Sequence, residues 1–96
     1  TTQTLGFNPN EKRTRLFIQM QYTNDDPANV GAIYVGLGFQ PTGVVGNPLQ
    51  GFRLTQGSYL DFNEALGTMP PAGKLDIWLL SDTASQSYEI SEILKS

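Results

Sequence analysis

The chain has 96 residues, six basic and nine acidic side chains, a formal charge of −3, and neither cysteine nor histidine. Those two absences exclude disulfides, Cys/His zinc sites, haem ligation and the Ser-His-Asp and Cys-His nucleophile systems. The acidic balance argues against a dedicated nucleic-acid binder, which would carry a basic stripe.

Strand-like runs separated by Gly, Pro, Asn and Asp clusters recur along the sequence. The first is Thr4 to Phe7, stopped by Asn8-Pro9-Asn10, so residues 1–12 form either an edge strand or an N-terminal arm. Arg13 to Thr23 is the longest run. Leu16, Ile18, Met20 and Tyr22 share one face of it, and Arg15, Phe17, Gln19 and Gln21 the other, the alternation of a half-buried strand.

After a turn at Asn24–Asn29 comes Gly31–Phe39, expected as the antiparallel neighbour of the previous strand. Ile33, Val35, Leu37 and Phe39 form its apolar face. The other face, Ala32, Tyr34, Gly36 and Gly38, is nearly bare, and strand glycines mark a close approach by another backbone or subunit. Residues 40–51, with three glycines and two prolines, read as a loop. Phe52-Arg53-Leu54 and Tyr59–Phe62 flank Gln56-Gly57-Ser58, as a hairpin or a bent strand pair.

A helical turn at Asn63–Leu66 would be stopped by Gly67. Lys74 to Leu80 reads as a strand, with Leu75, Ile77 and Leu79 inward and Asp76, Trp78 and Leu80 opposite. A polar turn at 81–86 precedes a last strand over Ser87 to Leu94, where Tyr88 and Ile90 mark the buried face. The expected fold is one all-β domain over 1–96, of about seven short antiparallel strands. It would be a β-sandwich or small jelly-roll-like barrel.

Few residues can carry chemistry. Asp25-Asp26 offers oxygens for calcium but lacks the spaced ligand pattern, so a turn is the expected role and no metal is assigned. Asp61 with Glu64, and Asp76 with Asp82, are carboxylate pairs of the kind glycosidases use, but a deep cleft is hard to build in so short a chain. No catalytic residue and no cofactor are expected.

Interface residues are a different matter. Lys12, Arg13 and Arg15 make the one basic run, suited to an acidic protein surface or to a solvated edge. With Tyr34, Gly36 and Gly38 they form the expected protein-contact set. Tyr59 and Trp78 could stack on a ligand such as a sugar. No apolar stretch approaches the roughly 20 residues of a membrane span, and no signal peptide is visible. The start at Thr1 fits removal of an initiator methionine or a processed fragment.

Four segments, Arg15 to Gln19, Ile33 to Gly38, Gly51 to Gly57 and Ile77 to Ala84, occur in an order that resembles small all-β structural proteins of tailed bacteriophages. In that resemblance Met20 replaces a small polar residue and the 40–50 loop is long. The family comprises head decoration or cement proteins and the bases of head fibres. The resemblance implies a virion protein made in the host cytoplasm and bound to the capsid surface, with the major capsid protein or another virion protein as partner. It also implies a homo-oligomer, a trimer being favoured because head decorations cluster at local three-fold positions. The alternative is a carbohydrate- or receptor-binding module of a tail or fibre.

Overall fold

A computed structural model describes residues 3–20, 31–82 and 88–95. Seven strands form within them: β1 (Gln3–Phe7), β2 (Arg13–Met20), β3 (Ile33–Leu37), β4 (Phe52–Leu54), β5 (Tyr59–Asn63), β6 (Ile77–Ser81) and β7 (Tyr88–Leu94). They make two antiparallel sheets, ordered β1-β6-β3-β4 and β5-β2-β7. Among the described residues no ladder joins the sheets, so the fold is a β-sandwich and not a closed barrel.

Alternation decides which side of each sheet is buried. Leu16, Ile18 and Met20 of β2 are fully buried, while Arg15, Phe17 and Gln19 between them are half-buried. The opposing sheet supplies Ile33, Val35, Leu37, Leu54, Ile77 and Leu79 to the same core. Each of these aliphatic side chains contributes about 1.5–3 kcal/mol on burial. Phe7, Leu60, Phe62, Tyr88 and Ile90 close its margins. The last strand is extended to Leu94, in keeping with the alternation of Tyr88 and Ile90 with Glu89 and Ser91.

Three expectations are corrected. First, β2 and β3 are not neighbours in one sheet; they lie in opposite sheets and meet through their side chains. Second, β4 and β5 are not a hairpin. Ser58 N–H donates to the Thr55 carbonyl, and this turn carries the chain from one sheet to the other. The Met20 and Gly57–Ser58 backbones exchange two further bonds, fixing that corner to β2. Third, the sixth strand starts at Ile77 rather than Lys74, because Pro71–Lys74 coil into a 3-10 turn. Leu75, expected inward, is 47% exposed as a result.

The other helical turn forms as the sequence indicates, over Glu64–Leu66. Asn63 caps it by accepting from the Ala65 N–H, and Gly67 ends it in the left-handed conformation at φ 72°. The first strand is an edge strand paired to β6, so residues 3–7 are sheet and not a free arm.

Candidate interaction surfaces

The bare face of β3 is covered by the chain's own loop. A Cβ at Gly36 would overlap the Phe39 carbonyl oxygen and lie 2.9 Å from Pro41 Cδ. Pro41 is fully buried, and its carbonyl accepts from Gln3 Nε2 at 2.6 Å. Further along, a Cβ at Gly43 would meet Tyr34 and Leu80, each at 3.2 Å. Ala32, Tyr34 and Leu80 therefore form a second small core, with Tyr34 only 6% accessible. The close approach that the glycines require is real, but residues 39–43 of the same chain make it. Tyr34 and Gly36 are thus buried and do not belong to an open contact face, whereas Gly38 is exposed beside Leu75.

What faces outward is the far side of the covering loop. Val44, Val45 and Leu49 are exposed there, Val45 at 82%. Their backbone is clamped. Thr42 N–H donates to the Leu49 carbonyl, Gly43 to Gln50, Asn47 to Val44 and Gln50 to Asn47. Asn47 Oδ1 accepts the Leu49 N–H as well. An aliphatic tip held by its own ladder is a preformed contact element.

The basic run divides. Between Arg13 and Arg15 the β2–β7 register slips by one residue, so both Arg13 and Leu16 face inward despite their odd spacing. Arg13 is fully buried. Its Nε donates to Glu92 Oε2 at 2.6 Å, Nη1 to the Gly73 and Leu75 carbonyls, and Nη2 to the Asn8 carbonyl. The guanidinium also lies 5.4 Å from the Phe7 ring centroid. This cation is structural, contrary to the expected surface role.

Arg15 projects from the outer face and grips Asp61 of β5 through two bonds of 3.1 and 2.8 Å. That hydrogen bonding, with the guanidinium charge, holds the Asp61 carboxyl below its ordinary value and raises Arg15. Lys12 stays exposed. The three cations thus occupy three different environments.

The aromatic pair is also split. Tyr59, 61% exposed, stacks on Phe17 at 5.9 Å between centroids on the outer face of the three-stranded sheet. Trp78 sits in the four-stranded sheet, and its indole N–H donates to Asp76. They cannot share one ligand. Among the carboxylates, Asp61 holds Arg15, Glu64 meets Lys74 at 3.1 Å, and Asp82 accepts the Ala32 N–H. Among the described residues no three acidic side chains converge as a metal site would require. The Asp25-Asp26 pair lies outside the described residues.

One surface was legible in the sequence only through Lys12 and Glu64. A groove of about 880 Å³ opens at the end of the sandwich where residues 9–12, 64–75 and Lys95 meet. Its parts are far apart in sequence, and no single motif spans them. Comparison with protein-family models, curated proteins and solved structures finds no match.

Proposed function

We propose that this domain is a structural protein of a tailed-phage virion, binding the capsid surface as a decoration protein that braces neighbouring shell subunits. The observation that carries the adhesive part of this reading is the clamped loop with Val44, Val45 and Leu49 exposed. Apolar area removed from water returns roughly 25 cal/mol per Å², and rigid presentation keeps the ordering cost of contact low. The virion assignment rests on the resemblance of the segments that contribute β2, β3, β4 and β6 to small all-β structural proteins of tailed phages, the head decoration or cement proteins and head-fibre bases. Copies repeated by shell symmetry, themselves grouped as homotrimers, would turn weak individual contacts into firm attachment through avidity.

Density-gradient purification of particles from the lysate in which the chain is made tests this directly. The chain is expected in the particle band at a fixed ratio to the main shell subunit. Val45→Asp is expected to stay folded, because the side chain is exposed, and to fall out of that band. Wild-type chain found wholly outside the particle band overturns the proposal.

A second reading, a glycan-binding module, draws on the exposed Tyr59 beside Phe17 and the Arg15–Asp61 pair on the same sheet face. Glycan-array retention abolished by Tyr59→Ala and spared by Val45→Asp would favour it over shell attachment.

A further inference from the structure

All three lysines of the chain, Lys12, Lys74 and Lys95, line the same end groove. Backbone bonds bring them there: Asn10 N–H donates to the Lys74 carbonyl and Lys95 N–H to the Lys12 carbonyl, each at 2.8 Å. The same groove has an apolar lining that includes Met69, Pro70 and Leu75. Beneath it, buried Arg13 holds the carbonyls of Asn8, Gly73 and Leu75 with one guanidinium. Both walls are therefore tied to a common anchor, and the groove is formed before any ligand arrives.

We infer that this groove docks an extended acidic segment of a partner protein, carboxylates on the lysines and apolar side chains on the Met-Pro lining. Charge complementarity is the reason for an acidic occupant. Lys12, Lys74 and Lys95 against Glu11 and Glu64 leave the groove at +1, while the whole chain carries −3. Only Lys74 is engaged in an ion pair there, with Glu64, among the described residues. Glu11 and Glu64 in the same lining would repel an unbroken row of phosphates more than the widely spaced carboxylates of a peptide, which can keep to the lysines. The inference stands apart from the aliphatic loop and does not depend on shell binding.

Fluorescence anisotropy with the full chain and a labelled dodecapeptide of repeating Glu-Leu-Pro tests it. The matching Gln-Leu-Pro peptide and a single-stranded DNA of equal length serve as comparisons. The acidic peptide is expected to bind saturably, about tenfold or more tighter than its Gln counterpart, and to weaken several-fold when salt rises from about 50 to about 300 mM. The doubly exchanged variant Lys12→Glu, Lys95→Glu is expected to lose about tenfold. Both side chains are exposed, so its fold should be kept, and the salt response of the unaltered protein supplies a second reading. Val45→Asp should bind the peptide like the wild type, which separates failure of this site from failure of the loop. Absence of saturable binding up to about 1 mM, equal affinity for the Gln peptide, or tighter binding of the DNA would overturn the inference.

Discussion

At the scale of the single residue, buried Arg13 ties distant parts of the chain together through four side-chain hydrogen bonds. Its fork joins the β1–β2 loop, the 3-10 turn at 71–74 and β7, reinforcing the backbone bonds Asn10–Lys74 and Lys95–Lys12 between the same segments. Removing one partner of a buried ion pair costs about 3–5 kcal/mol, because the remaining groups lose both their partner and their water. Arg13→Ala should therefore lower the unfolding free energy by about that much, read as a falling urea midpoint at unchanged slope. Arg13→Lys should recover little of it, since a single ammonium cannot serve Glu92 and three carbonyls on different sides at once. A Lys variant as stable as the wild type would show that charge matters here and the fork does not. The sequence could not have revealed this role. Arg13 stands in a run of cations, and only the one-residue slip against β7 turns it inward.

At the scale of the element, the strand β5 has one sheet neighbour among the described residues, β2, and is held to it from outside by Arg15–Asp61 and Phe17–Tyr59. The Asp61 carboxyl titrates below its ordinary value, so the folded state favours the ionised form. The stabilisation is complete well above the unfolded aspartate value of about 3.9, declines as pH falls through it, and is gone below the folded value. Asp61→Asn should flatten the acid limb of the stability–pH curve in that window while leaving its shape near neutrality intact. An unaltered acid limb in thermal melts would show that the pair contributes nothing measurable. Alternation made the strands themselves legible, because Leu16, Ile18 and Met20, or Ile77 and Leu79, can be read two residues at a time. Their pairing was not legible. The same inward face on β2 and β3 fits strands side by side in one sheet or opposed across a core, and only the distant partners β6 and β7 decide between them. The bare face of β3 carried the same ambiguity: glycines report that a backbone comes close, not whose backbone it is.

At the scale of the whole molecule, the two sheets share one main core and the sandwich measures 40 × 29 × 20 Å along its principal axes, with a Cα radius of gyration of 13.2 Å. Compact-chain scaling gives about 12.5 Å for one chain of this length, so the fold is slightly elongated. The same scaling gives about 19 Å for a compact assembly of three copies. A small core without disulfides gains stability when further apolar surface is covered by another copy, and Leu5, Ile93 and Leu94, exposed outside the clamped loop, provide such surface. Small-angle scattering extrapolated to zero angle therefore separates the states without reference to any shell. The proposed homotrimer predicts a radius near 19 Å and a threefold forward intensity, both falling towards the single-chain values on dilution if association is weak. A radius near 13 Å at every accessible concentration would remove the trimer. In that case grouping at three-fold positions would have to be imposed by the shell, through loop contacts made one copy at a time.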